Sequence, residues 1–120
     1  MTDTILHLTT QTSWSTAQKA GVYTAESLTG EGFIHCSKVD QILRVANTVF
    51  GGQHGLVILV IDPIRLTSEI RLEPGTDLAT ELFPHIYGPI NLDAVVHVLE
   101  FEPGADGKFH LPKSLEIAKR

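Results

Sequence analysis

Residues 32–37, with the sequence GFIHCS, form a short apolar run that carries one histidine and ends in a serine. Successive side chains of an extended chain point to opposite faces. One face of such a strand therefore takes Phe33, His35 and Ser37, and the other takes Ile34 and Cys36. We predict that His35 and Ser37 point away from the core and lie at the edge of a cleft.

A helix is predicted directly after this strand, over about residues 38–50. Apolar residues recur at helical spacing from Val39 to Phe50, and Gly51 follows as a stop signal. Ser37 is the expected N-cap, a role that explains it completely. A capping serine beside an exposed helix N-terminus can also contact a bound phosphate or hydroxyl, so both interpretations stay open.

A second strand with a histidine is predicted at residues 4–9, TILHLT. His7 and Thr9 alternate with two leucines, so they lie across the strand from core residues. We interpret His7 and His35 as ligand-facing side chains. The alternative is that each histidine is a structural hydrogen-bonding residue.

Two prolines flank a histidine and a tyrosine in residues 83–90, FPHIYGPI, which we predict to be a loop. The prolines restrict the chain and so fix the directions of His85 and Tyr87. Rigid loops often carry binding residues, and we expect both side chains to contact a ligand. The sequence does not decide whether Pro84 and Pro89 are cis or trans.

The remaining segments complete an α+β pattern. We expect a short helix from Thr10 or Thr12 to Ala20, an extended segment at 22–24, a loop at 26–31, a central strand at 56–61, a half-exposed strand at 69–73, a strand at 94–101, a turn at 103–107 and at most a short helix from Pro112. Strands around one or two helices, without regular alternation, predict mixed or largely antiparallel sheets. We therefore expect one α+β domain over residues 1–120, with a cleft between sheets.

Composition limits the class of protein and its partners. The chain has 120 residues, 42% of them hydrophobic, which suffices for a core without a disulfide or metal staple. No apolar segment approaches the roughly 18 residues of a membrane span, and the first residues lack a signal peptide's basic region. We expect a cytoplasmic protein with no membrane partner, whose oligomeric state the sequence leaves open.

The charge pattern limits the classes of ligand that the protein is expected to bind. Nine basic residues are scattered among fourteen acidic ones, and the formal net charge is −5. A long nucleic acid is therefore not an expected partner, whereas a small ligand with one or two phosphates is compatible with a few local cations.

Metal and thiol chemistry are not expected. No Cys-x-x-Cys or His-Glu-x-x-His spacing occurs, and the adjacent residues His35 and Cys36 point apart in a strand. The alternation turns Cys36 toward the core, where a thiol is inert.

Three motifs together resemble an uncharacterised bacterial family, domain of unknown function 952. They are residues 5–10 (ILHLTT), 31–37 (EGFIHCS) and 83–89 (FPHIYGP). That family in turn resembles the ADP-ribosyltransferase-like fold, which includes tRNA 2′-phosphotransferases and consists of two small sheets flanking a cleft for NAD. The resemblance implies this fold, NAD as the cofactor and a small-molecule partner.

The resemblance extends to individual positions. Residues 7–9 match an early His-Gly-Thr motif, with Leu8 in place of the glycine. Residues 33–37 match a His-x-His-x-Ser strand, with Phe33 in place of the first histidine. For a catalytic glutamate on a late strand, the only candidates are Glu73 and Glu81.

We therefore predict a histidine-lined cleft for NAD or a related nucleotide, with ADP-ribosyl- or phosphoryl-transfer chemistry. His35 and His7 are the predicted catalytic residues, and the predicted ligand-binding residues are Thr9, Ser37, His85 and Tyr87. In this hypothesis His35 polarises or deprotonates a ribose hydroxyl, and Tyr87 stacks on a flat ring. The alternative is a non-catalytic domain that senses a small ligand or mediates an interaction.

Overall fold

The computed structural model describes residues 4–75 and 81–115, which form three antiparallel sheets and their covering helices. The strands are β1 (Ile5–Thr10), β2 (Val22–Tyr23), β3 (Ile34–His35), β4 (Leu56–Ile61), β5 (Glu69–Pro74), β6 (Leu82–Tyr87), β7 (Ile90–Asn91) and β8 (Val95–Phe101). The α-helices are α1 (Gln11–Ala20), α2 (Glu26–Gly30) and α3 (Val39–Val49), and a single 3-10 turn spans Leu92–Ala94. The predicted α+β class is confirmed. No helix among these residues is long and apolar enough to cross a membrane.

The largest sheet has the order β1-β4-β8, so the predicted central strand lies in the middle. All six residues of β4 are buried. Because its side chains alternate, β4 supplies two cores: Val57, Leu59 and Ile61 pack on the α1 side, while Leu56, Ile58 and Val60 pack on the α3 side. An apolar strand of this kind is stable only when both of its faces are covered.

The second three-stranded sheet has the order β3-β6-β5, and β2 pairs with β7 beside it. In the register of this sheet His35 lies opposite His85, and His85 lies opposite Arg71. Residues that face each other across antiparallel strands point to the same side of the sheet. The imidazoles of His35 and His85 therefore share one face, and Ile34 and Ile86 are buried on the other.

The predicted helices are confirmed, but one predicted cap is wrong. Thr10 caps α1 by accepting a hydrogen bond from Ser13 N at 3.0 Å. The N-cap of α3 is Lys38, whose backbone N–H donates to the Gln41 side chain at 2.9 Å. Ser37 lies one residue before this cap, and its backbone pairs with Leu6 of β1.

The loop predicted at residues 83–90 is also wrong, because residues 82–87 form β6. Pro84 is tolerated in this middle strand for a geometric reason. Its carbonyl accepts from Cys36 N at 3.0 Å, so its nitrogen also faces the side where β3 has ended. Both Pro84 and Pro89 follow trans peptide bonds. The loop predicted at 26–31 is likewise mostly the helix α2.

The two-sided burial of β4 predicts a strong effect of truncation there. Ile58→Ala should lower the free energy of unfolding by about 2–5 kcal/mol, because it leaves a cavity in a packed core. Val98→Ala, on the partly exposed edge strand β8, should cost less than about 1 kcal/mol. Urea unfolding followed by the fluorescence of Trp14 measures both, and equal losses would contradict the central position of β4.

Candidate functional site

A groove of about 560 Å³ lies between α3 and the two larger sheets. The residues 6–8 of β1, residues 35–37 and side chains of α3 and β6 line it. Small-molecule sites commonly have this size and a mainly apolar wall with a few polar groups. The groove is therefore the candidate site.

Four of the six predicted site residues line this groove: His7, His35, Ser37 and His85. Thr9 and Tyr87 do not. Thr9 lies beneath His7 in the protein interior, and Tyr87 stands beside His85 on the face of the smaller sheet. The structure thus brings most of the predicted set together from three separate strand segments.

His7 is not directed away from the core, contrary to the prediction. Its side chain is buried, because the α1-side core covers the face of β1 that carries it. Nδ1 lies 2.7 Å from the carbonyl oxygen of His35, and Nε2 lies 2.7 Å from the Tyr23 hydroxyl. The Tyr23 oxygen is also 2.9 Å from Thr9 Oγ1. Both nitrogens of His7 therefore already have protein partners.

These contacts fix the protonation state of His7. A carbonyl only accepts, so Nδ1 carries the proton and Nε2 of the neutral ring accepts from Tyr23. The phenol has one proton, so Thr9 then donates to the Tyr23 oxygen. Burial lowers the pKa of His7 from 6.5 to about 4, and burial also raises the pKa of Tyr23. His7 is a neutral, structural member of a buried network.

His35 lies at the open side of the groove. Its Nε2 is 2.9 Å from Glu31 Oε1, and the two side chains are 42% and 46% exposed. Its ring lies edge-on to Phe33, with centroids 4.9 Å apart, and to His85, with centroids 5.4 Å apart. Of the two histidines predicted to be catalytic, His35 is therefore the one that a ligand can reach.

His85 is held by residues of the neighbouring strand. Its Nδ1 is 2.9 Å from Glu73 Oε1, and the hydroxyl of Tyr87 donates to the same oxygen. The guanidinium of Arg71 lies 4.4 Å from the centroid of the Tyr87 ring. These hydrogen bonds, that of Tyr87 first, lower the pKa of Glu73, and the bond to Glu73 raises the pKa of Tyr87. Glu73 is consequently ionised at neutral pH.

Ser37 and Cys36 contribute in different ways. Ser37 is buried and lines the groove, but its backbone forms the bridge to Leu6. Ser37 therefore lies at the groove with its side chain buried, and its contact with a ligand stays a prediction. Cys36 is buried as predicted, and burial raises the pKa of its thiol well above the usual range. Within residues 4–75 and 81–115 no three His, Cys, Asp or Glu side chains are grouped so as to hold a metal ion.

Sequence reasoning missed one partner of the site, Tyr23, and left another, Glu73, as one of two candidates. Tyr23 was expected only to be extended, and nothing in its local sequence indicated the bond to His7. Glu73 was one of two glutamate candidates, and its position on the half-exposed strand β5 follows from the alternation of that strand. The other candidate, Glu81, pairs with Arg44 and with Gln41.

The family of the chain follows from comparison with known proteins. The family model described as protein of unknown function (DUF952) matches residues 8–98. The chain belongs to this family. No curated protein matches the chain.

Solved structures with the same fold come from Caulobacter crescentus. The crystal structure of its protein CC0527 is 27% identical, with a TM-score of 0.82, and the match covers 94% of this chain and 98% of that one. The solution NMR structure of CC0527 is also 27% identical, with a TM-score of 0.79, and covers 95% and 97% of the two chains. The DUF952 chain is thus similar to CC0527 over nearly its whole length.

The lowered pKa of His7 predicts that the fold loses stability in acid. A base whose folded pKa lies below its unfolded value binds more protons when unfolded, so its stabilisation is complete above pH 6.5 and is lost toward pH 4. Between pH 7 and pH 5, His7 alone should lower the free energy of unfolding by about 2 kcal/mol.

Urea unfolding of wild type and His7→Gln at these two pH values measures this contribution. The wild type should lose about 2 kcal/mol more than the variant. His97→Gln, on an exposed position of β8, is the control and should behave like the wild type. Equal acid sensitivity of wild type and His7→Gln would contradict a neutral, buried His7.

Proposed function

We propose that the groove binds NAD or a related nucleotide and that the protein is an ADP-ribosyl- or phosphoryl-transfer enzyme. The observation that carries this proposal is the pair His35 and His85, which face each other across β3 and β6 with ring centroids 5.4 Å apart. Two imidazoles on one groove wall are suited to bind and deprotonate hydroxyl groups.

The other walls of the groove fit the parts of a nucleotide. Apolar side chains of α3 and β6, such as Val45 and Phe83, offer a surface for a flat base. Arg44 on α3 offers a cation for a phosphate, and Glu81 holds its guanidinium at the groove. A ligand with an aromatic end and an anionic end therefore matches this lining.

In the proposed reaction His35 contacts the ribose, because its ring is accessible from solvent. Glu31 bonds to Nε2, which orients the ring, and His35 then polarises or deprotonates a ribose hydroxyl. The relation to the ADP-ribosyltransferase-like fold belongs to this proposal and rests on the sequence motifs. Tyr87 lies outside the groove lining, so stacking on the ligand is assigned to Phe83 instead.

A second candidate function has one specific observation in its favour. Both nitrogens of His7 are engaged by Tyr23 and by the carbonyl of His35, so His7 has no lone pair to offer a substrate. A groove that uses His7 only as a support is also consistent with a non-catalytic domain that senses a small ligand. Product formation separates the two functions, because the sensor binds the ligand and leaves it unchanged.

Calorimetric titration with NAD, ADP-ribose and nicotinamide tests the proposal. We expect micromolar binding of at least one of them, equivalent to about −8 kcal/mol. His35→Ala should weaken binding about five- to twelvefold, since one hydrogen bond is worth roughly 1–1.5 kcal/mol. His97→Ala, a histidine outside the groove, is the matched control and should bind like the wild type. The absence of heat with all three ligands would exclude NAD as the ligand.

A further inference from the structure

We propose that His85, held by Glu73, is the proton acceptor of the groove. This inference deepens the proposed function by assigning the base to His85 and leaving His35 to bind and polarise the ligand. It rests on the proposed function for the identity of the substrate class, a nucleotide or an acceptor with a hydroxyl group. The geometry of the His85 site stands on its own.

The hydrogen bond between His85 and Glu73 has a definite direction. An ionised carboxylate only accepts hydrogen bonds, so His85 Nδ1, 2.9 Å from Glu73 Oε1, carries a proton. The neutral imidazole then has its lone pair on Nε2. Tyr87 donates to the same carboxylate oxygen and so fixes the position of Glu73 from the other side.

The other ring nitrogen of His85, Nε2, has no hydrogen-bond partner. It makes no hydrogen bond with any residue in the described part of the chain. Every fully buried side-chain nitrogen or oxygen there has a partner, so Nε2 is not fully buried. The groove is the space that His85 lines. A general base requires a free lone pair at the ligand site, and Nε2 is the His85 nitrogen that has one.

The imidazole ring of His85 is held in place by packing. Phe33 stacks on His85 with centroids 4.1 Å apart and an angle of 17° between the planes. The His85 side chain is only 4% exposed, and Glu73 is 32% exposed. The comparable pair His35 and Glu31 is nearly half exposed, so water screens it. The carboxylate acts more strongly on the buried ring.

The surrounding charges fit a ring that becomes positive for part of a reaction. On β5 the ring of His85 faces Glu73 and, directly across the register, Arg71, which is itself paired with Glu69 at 3.0 Å. On β3 it faces His35. Arg71 is paired with Glu69, whereas Glu73 is hydrogen-bonded to the ring itself, so Glu73 is the charge that stabilises an imidazolium at position 85.

The proposed step transfers ADP-ribose from NAD to a hydroxyl group of the acceptor. A hydroxyl group of the acceptor gives its proton to His85 Nε2, and its oxygen keeps the electron pair. That oxygen forms a bond to the anomeric carbon of the ribose of NAD. The bond from this carbon to the nicotinamide nitrogen breaks, and the nitrogen takes the pair and leaves as neutral nicotinamide. The proton on the imidazolium, stabilised by Glu73, then passes to water.

The nitrogen NMR spectrum of the imidazoles tests the proposal without any ligand. Long-range proton–nitrogen correlations should show His85 as the tautomer with the proton on Nδ1. In Glu73→Gln the shape is kept, but the amide can donate as well as accept and no longer selects a proton on Nδ1, so the fraction of the Nδ1–H tautomer of His85 should fall. His85→Gln identifies the signals. A proton on Nε2 in the wild type, or an unchanged tautomer in Glu73→Gln, would overturn the proposal.

The control is Glu102→Gln, which makes the same change beside His54. It should leave the tautomer of His85 as it is in the wild type. A second measurement asks whether Nε2 is accessible. Diethyl pyrocarbonate should modify the exposed His97 and also His85, whose Nε2 has no partner in the described part of the chain, but not His7, whose two nitrogens are both engaged; mass spectrometry reads the modification. A fully protected His85 would also overturn the proposal.

These measurements and the titration with NAD fail independently. A protein that binds none of the nucleotides can still show the predicted tautomer of His85 and its change in Glu73→Gln, which would support His85 as the base and exclude the proposed ligands. Conversely, NAD binding with a proton on Nε2 of His85 would support the proposed function and contradict the assignment of His85 as the base.

Discussion

One backbone bridge joins the two larger sheets and determines where the groove lies. Leu6 N donates to the carbonyl of Ser37 at 2.8 Å, and Ser37 N donates to the carbonyl of Leu6 at 2.8 Å. This pair connects β1 of the central sheet to the segment that follows β3. The groove is lined by the residues on either side of the bridge, 6–8 and 35–37. Its polar groups are therefore positioned by sheet backbone, which is more rigid than a loop.

The side chain of His7 strengthens the same junction between the two sheets. Its Nδ1 bonds to the carbonyl of His35, so a buried imidazole crosses from β1 to β3 next to the backbone bridge. Leaving that carbonyl or Nε2 without a partner in the interior would cost about 1–3 kcal/mol each. Tyr23 and Thr9 complete the network from α1's side of the sheet. This structural use of His7 explains why two histidines on one groove have such different surroundings.

Local patterns were sufficient for the elements whose signals are local. The helical spacing of residues 39–50, the two-faced apolar run of β4 and the alternation that buries Cys36 depend on neighbouring residues alone, and each was predicted correctly. β6 was missed because prolines normally exclude a middle strand, and only the early end of β3 removes the conflict at Pro84. The burial of His7 was missed for a similar reason. Alternation shows which residues share a face but not whether that face is covered, and here the core that contains Tyr23 covers it.

The two imidazoles of the candidate site come from neighbouring strands of one sheet. Phe33, two residues before His35, lies on the same face. A phenyl ring cannot exchange protons, but it can hold a flat ring in place. Phe33 does so by stacking on His85, which β6 brings opposite His35. The sheet thus presents two imidazoles on one face, the second supplied by β6 and held by Glu73 of β5. The pair is a property of the strand register, which no single segment of the sequence encodes.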